Sequence, residues 1–216
     1  MNNSTTIKNN TTPIIDAIIK QISEGEDYPY TYTVVYLGFY DDNGLKLPPS
    51  IIRQFWDKEE VNKTCRIIYN SLKETFGMDG VWMFKERHAD LLDENGEVLK
   101  KGKFHLNIIA SNIKDRFIED PNRKVRRLLN DNGRMNIPIK DLQYTDIDEL
   151  KIELVNACIK RAAKWVNRFQ YSIKTQLLLG PSDLEDTTLY CLKEFSKKQA
   201  DFTDVVCFKS SDFYKP

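Results

Sequence analysis

Residues 104–111, Phe-His-Leu-Asn-Ile-Ile-Ala-Ser, constrain the fold most, because their side chains alternate as those of a β-strand do. One face of this strand carries only apolar side chains, and the other carries His105, Asn107 and Ile109. Since side chains two positions apart point the same way, His105 and Asn107 lie side by side, roughly 7 Å apart along the strand.

The second histidine of the chain, His88, also falls in a segment that predicts a strand, residues 81–88. Between the two segments lies Asp-Glu-Asn-Gly-Glu at residues 93–97, and its Asn-Gly step is typical of a hairpin turn. If the two strands pair, one cluster forms from four side chains: Glu86, His88, His105 and Asn107.

This cluster suits a divalent cation, because imidazole and oxygen ligands leave coordination positions open for a substrate phosphate. The competing interpretation is that each histidine is only a packed or exposed strand residue. Both histidines of the chain fall on predicted neighbouring strands, and this coincidence gives the metal site about the same weight as that alternative.

Composition restricts the classes of protein to consider. The chain has 216 residues, with 32 basic and 32 acidic side chains, so any attraction to nucleic acid must come from a local patch. The four cysteines are scattered, with no CxxC pair, which favours reduced thiols. No signal-like or membrane-spanning apolar segment occurs. We therefore expect a soluble cytoplasmic protein without membrane contact.

The order of elements predicts a tail with a short helix over residues 1–25 and one large domain over residues 26–216. The tail helix is expected at 13–22, where isoleucines form a stripe. Hydrophobic periodicity and turn residues predict the elements of the domain. The predicted strands are 30–40, 81–88, 104–111, 172–179 and 204–209, and the predicted helices are 61–76, 146–169 and 182–198.

Tyr190 and Lys193 form a second candidate for chemistry, because residues three apart are neighbours on a helix surface. A phenol is a weak nucleophile at neutral pH, and a nearby cation favours its phenolate. That oxygen can attack a phosphodiester and leave a covalent phosphotyrosine. The alternative is that Tyr190, one of ten tyrosines, only packs its ring against the sheet.

Two basic segments are candidate phosphate contacts, and the alternative for both is a solvated helix face. The first lies before the turn at residues 131–133, and the second follows one side of the helix predicted at 146–169. Together they comprise Arg123, Lys124, Arg126, Arg127, Lys160, Arg161 and Lys164.

Three of these segments resemble, in the same order, the motifs of HUH endonucleases, in particular the small rolling-circle replication initiators of plasmids and single-stranded DNA viruses. Residues 30–36 resemble the strand-forming first motif. His105-Leu106-Asn107 resembles the His-hydrophobic-His metal motif, and Glu86 and His88 precede it where the family often places another ligand. Residues 190–193, Tyr-Cys-Leu-Lys, resemble the Tyr-x-x-Lys catalytic motif.

The resemblance covers about residues 30–209 and implies an α+β fold, with a central antiparallel sheet of about five strands and helices packed against it. It implies that Mn²⁺ or Mg²⁺ polarises the scissile phosphate, that Tyr190 attacks to give a 5′-phosphotyrosine, and that Lys193 positions the phosphate or stabilises charge. The implied partner is single-stranded DNA or an origin duplex. The chain has no Gly-x-x-x-x-Gly-Lys-Ser/Thr loop, so unwinding would fall to a separate helicase.

The chain departs from the family pattern where Asn107 replaces the second histidine of the metal motif. An amide oxygen is a weaker ligand for a transition metal, which favours magnesium or manganese, or a weakened enzyme. His88 is the residue that would supply the missing imidazole. The alternatives to a nickase are a nucleic-acid-binding protein without catalysis, a structural or interaction protein, and a relaxase acting in DNA transfer.

Overall fold

The computed structural model describes residues 28–37, 58–78, 80–87, 91–100, 104–131, 133, 144–166, 171–193 and 205–209, together with Asp16, Lys20 and Ile22. His88 lies outside the described residues, as do parts of several predicted elements. The three described positions of the tail are helical, as predicted for residues 13–22.

The described residues form both strands and helices. The strands are β1 (Tyr30–Leu37), β2 (Gly80–Arg87), β3 (Leu91–Leu92), β4 (Val98–Lys100), β5 (Phe104–Ala110), β6 (Tyr171–Leu178) and β7 (Val205–Lys209). The helices are α1 (Lys58–Phe76), α2 (Arg116–Glu119), α3 (Arg123–Asp131), α4 (Tyr144–Val166) and α5 (Pro181–Cys191).

The main sheet has the strand order β6-β1-β5-β2-β7, and every neighbouring pair is antiparallel. Its first four strands, with α1 and α4, follow one another along the chain as βαββαβ, so β5 is inserted between β1 and β2. Strand β7 extends the sheet beside β2, and β3 with β4 forms a separate ribbon. The predicted α+β class, an antiparallel sheet with helices packed against it, is confirmed.

Helices cover the sheet on both faces, and each face has its own apolar core. On one face, α1, α3 and α4 pack against side chains such as Val35, Met83 and Leu106. On the other face, α5 packs near the sheet residues Trp82 and Ile109. Because strand side chains alternate, His105 and Asn107 belong to the α5 face.

Helix α1 shows how local sequence sets an element. The predicted inward stripe, Cys65, Ile68, Leu72 and Phe76, is fully buried. The helix begins at Lys58, three residues before the predicted start, and ends before Gly77. Gly77 has φ +68° and its N–H donates to the Lys73 carbonyl at 2.8 Å, so the predicted glycine cap is confirmed.

The other two helix starts also lie before the predicted positions. Helix α4 begins at Tyr144, two residues before the predicted start at residue 146. Helix α5 begins at Pro181 with Gly180 as its N-cap, one residue before the predicted start, so Ser182 lies inside the helix. Proline fits the first helical position because no N–H partner is needed there, and Asp183 Oδ2 accepts the Leu179 N–H at 3.1 Å. The helix ends at Cys191, before Lys193.

Candidate functional site

Strands β2 and β5 pair as the sequence predicts, and the pairing brings Glu86 opposite His105. Glu86 Oε2 and His105 Nε2 are 3.0 Å apart. Their side chains are 4% and 2% exposed, so the contact is shielded from water. A hydrogen bond between a carboxylate and an imidazole is stronger in such a place than at the surface, and it fixes the orientation of the ring.

Asn107 lies two positions further along β5, between Val34 of β1 and Phe84 of β2. Its side chain is buried, and the Tyr32 hydroxyl donates a hydrogen bond to Asn107 Oδ1 at 2.9 Å. Tyr32 comes from β1, 75 positions away in sequence. The oxygen of Asn107, predicted to be a metal ligand, is therefore already engaged by a phenol.

Lys193 connects the end of α5 to the two strands. Its Nζ lies 3.4 Å from Glu86 Oε2 and 3.5 Å from the centroid of the Tyr190 ring. Tyr190 is 47% exposed, whereas Glu86 and His105 are buried beneath the end of the helix. Lys193 is thus brought to the predicted metal residue Glu86, and Tyr190 is connected to Glu86 through Lys193.

The surroundings of Lys193 keep it cationic. Burial by itself lowers the pKa of the Lys193 ammonium, but its hydrogen bond to Tyr190 and the charge of Glu86 outweigh burial and raise the pKa above its usual range. Lys193 is therefore a fixed positive charge at neutral pH, and not a base. It lies where negative charge would develop on a phenolate or a phosphate.

Two residues of this site, Tyr32 and Cys191, were not predicted as functional. Cys191 follows Tyr190 and is fully buried. Burial, together with the charge of Glu86, raises the pKa of the Cys191 thiol well above its usual range, although the charge of Lys193 and the contact with Tyr32 oppose this. The period-two pattern of β1 could have assigned Tyr32 to one face of the sheet, but it could not have predicted the hydrogen bond to Asn107.

Glu86 and His105 fit a divalent cation as two protein ligands. Glu86 Oε1 is buried and has no hydrogen-bond partner among the described residues, so it is available for an ion. Neighbouring ligands of an octahedral Mg²⁺ are about 3 Å apart, which matches the separation of Oε2 and Nε2. The described residues contain no group of three His, Cys, Asp or Glu side chains able to hold a metal. Water and substrate would therefore have to complete the coordination.

The predicted nucleic-acid-binding residues lie on the other side of the sheet. Arg123, Lys124, Arg127 and Arg161 line a cleft of about 470 Å³ between α1, α3 and α4. That helical layer covers the face opposite to His105, so the structure does not bring these residues to the candidate site.

Some of these cations are also neutralised. Lys124 pairs with Glu74, and Arg161 pairs with Asp131. Arg126 lies 4.0 Å from Asp120 and donates its Nε–H to the Pro121 carbonyl. Lys160 is exposed on α4, and the side chain of Lys164 lies outside the described residues. Arg123, Lys124, Arg127 and Arg161 thus line the cleft, whereas Arg126 and Lys160 are exposed and are not part of its lining.

Comparison with known proteins yields no relative: no family model, no curated protein and no solved structure matches the chain. Within the described residues, the helices are all too short or too polar to span a bilayer.

Proposed function

We propose that the protein nicks and rejoins DNA through a covalent 5′-phosphotyrosine formed on Tyr190, and that it initiates rolling-circle replication. The observation that carries this proposal is the position of Lys193. Its ammonium contacts both Glu86, which is hydrogen-bonded to His105, and the ring of Tyr190. In this proposal Tyr190 is the nucleophile, Lys193 is the cation beside it, and Glu86, which Lys193 contacts, holds the metal together with His105.

In the proposed reaction, Tyr190 Oη attacks the scissile phosphorus. The new O–P bond joins the 5′ side of the DNA to the protein, and the leaving 3′ oxygen takes a proton to become a free hydroxyl. Lys193 is already protonated, so the phenol proton goes to solvent and the ammonium stabilises the negative charge. Rejoining reverses these steps with a 3′-hydroxyl as the nucleophile.

Glu86 and His105 would hold Mn²⁺ or Mg²⁺, which polarises the phosphate and stabilises the leaving oxygen when bound. Without the ion, the carboxylate and the imidazole position one another through their 3.0 Å hydrogen bond, and the ion would take the place of the proton between them. The exposed cations of the α3–α4 cleft would contact the backbone of a longer DNA that passes around the domain. A separate helicase would supply unwinding.

The decisive experiment is a nicking assay on labelled single-stranded DNA and supercoiled plasmid with Mn²⁺ or Mg²⁺. We expect a protein-linked DNA product from the wild type and none from Tyr190→Phe. Tyr69→Phe is a matched control, because Tyr69 also lies beneath a lysine, Lys73, at 5.7 Å, but on the opposite face. Intact substrate with the wild type on a broad pool of sequences would contradict the proposal.

A nucleic-acid-binding protein without catalysis is the second candidate. The hydrogen bond from Tyr32 to Asn107 favours it, because it engages an oxygen that a catalytic metal would otherwise use. Such a protein would bind oligonucleotides without any cleavage. A relaxase would carry out the same chemistry on transferred DNA and would be distinguished by its substrate.

A further inference from the structure

We infer that Asn107 binds a non-bridging oxygen of the scissile phosphate through its amide N–H₂, and that Tyr32 is the positioning residue that holds it so. This inference rests on the proposed function and assigns Asn107 a role other than that of a metal ligand.

The direction of the hydrogen bonds orients the amide. The Tyr32 phenol has one proton, and its candidate acceptors include Asn107 Oδ1 at 2.9 Å and the sulfur of Cys191. An amide oxygen is a much better acceptor than a thiol sulfur. The phenol proton therefore goes to Asn107 Oδ1, and the amide nitrogen points away from Tyr32.

The amide nitrogen is left without a partner. Asn107 is 1% exposed, and its Nδ2 has no hydrogen-bond partner among the described residues. A buried donor without an acceptor costs free energy, so such a group in a folded protein indicates an absent partner. The matching ligand atom is an acceptor oxygen, which a phosphate provides.

The site therefore has two complementary halves. Glu86 Oε1 is an unsatisfied acceptor that attracts a cation, and Asn107 Nδ2 is an unsatisfied donor that repels one. A phosphodiester bound across the site would place one oxygen toward the cation at Glu86 and His105, and another toward Asn107. Lys193 adds positive charge on the Tyr190 side.

The test separates metal binding from phosphate binding. Mn²⁺ affinity is measured by calorimetry, and affinity for a short single-stranded oligonucleotide is measured in EDTA by fluorescence anisotropy. A Tyr190→Phe background prevents turnover in both. We expect Asn107→Ala to weaken oligonucleotide binding about tenfold and to leave Mn²⁺ affinity within about twofold.

Two further variants sharpen the result. Asn107→Asp keeps the shape but places a carboxylate against the phosphate, so we expect weaker oligonucleotide binding and tighter Mn²⁺ binding. Tyr32→Phe frees Asn107 Oδ1 to turn toward the cation. We therefore expect weaker oligonucleotide binding and tighter Mn²⁺ binding here too, with smaller changes than in Asn107→Asp. Asn156→Ala, whose Oδ1 accepts the Thr175 hydroxyl on the opposite face, is the matched control.

The outcomes distinguish this inference from the proposed function. A tenfold loss of Mn²⁺ affinity in Asn107→Ala would make Asn107 a metal ligand and overturn the inference alone. If the wild type nicks DNA but Asn107→Ala and Tyr32→Phe both bind the oligonucleotide as tightly as their background does, the inference is overturned and the proposed function is not. A wild type that neither binds nor nicks any oligonucleotide would overturn both proposals.

Discussion

Glu86 of β2 and His105 of β5 face one another across neighbouring strands, with a carboxylate oxygen 3.0 Å from an imidazole nitrogen in a nearly dry environment. The same carboxylate oxygen lies 3.4 Å from the Lys193 ammonium. Glu86 therefore contacts both His105 and Lys193, and its loss should affect both metal binding and the position of the Lys193 charge.

Glu86→Gln should weaken Mn²⁺ binding about 10- to 100-fold, because a neutral amide replaces the one charged ligand of the described pair. Calorimetry with MnCl₂ measures this directly. The control is Glu97→Gln, since Glu97 is an exposed glutamate in the turn between β3 and β4. Equal Mn²⁺ affinity in the wild type and Glu86→Gln would remove Glu86 from the metal site.

Lys193→Ala should slow formation of the covalent DNA product about 100-fold, because it removes the fixed positive charge beside Tyr190 and Glu86. Single-turnover kinetics at saturating DNA measure this effect separately from binding. Lys73→Ala, at the other lysine–tyrosine contact, should leave the rate unchanged. Similar losses of rate in Lys193→Ala and Lys73→Ala would indicate a general effect of net charge and would contradict a specific role for Lys193.

The cleft residues Arg123 and Arg127 should contribute to binding of long duplex DNA but not to chemistry. In Arg123→Ala/Arg127→Ala, the plot of the logarithm of the DNA association constant against the logarithm of salt concentration should become less steep, with a slope smaller in magnitude by about two. Nicking of a short oligonucleotide should stay within about twofold, because the cleft lies on the other face of the sheet. Lys63→Ala/Arg66→Ala removes the same charge from exposed positions outside the cleft and serves as the control. A large loss of oligonucleotide nicking would contradict this separation.

Gly77→Ala should destabilise the protein more than Gly133→Ala. Both glycines have φ +68°, so both substitutions carry the left-handed backbone penalty of about 1–2 kcal/mol. A Cβ at position 77 would also collide with the Phe117 ring, whereas a Cβ at position 133 meets nothing within 4 Å. Urea unfolding of the two variants isolates the steric part. Equal losses would mean that Phe117 moves aside without cost.

Alkaline pH should destabilise the protein partly through Cys65. Burial raises the pKa of the Cys65 thiol from its ordinary 9.0 to about 12, and the charge of Lys85 opposes this only in part. The folded state therefore holds the proton longer than the unfolded state. The stabilising contribution is complete below about pH 9 and is lost as pH rises toward 12, by up to about 1.4 kcal/mol per pH unit.

The measurement is the slope of unfolding free energy against pH from 9 upward, compared between the wild type and Cys65→Ala. The variant should have the shallower slope, although its stability at neutral pH also falls through lost packing. Identical slopes would show that Cys65 does not ionise differently in the two states.

The sequence by itself determined the elements whose signals are local. The alternation of residues 104–111, the stripe and glycine cap of α1, and the placement of Glu86 and His105 on predicted strands followed from side-chain period and turn chemistry. The tertiary structure decided which elements meet. The order β6-β1-β5-β2 brought Tyr32 to Asn107 across 75 positions, and helix packing placed the basic cleft on the face away from His105. These outcomes depend on strand order and layer packing, which are set by contacts between distant segments that no local pattern encodes.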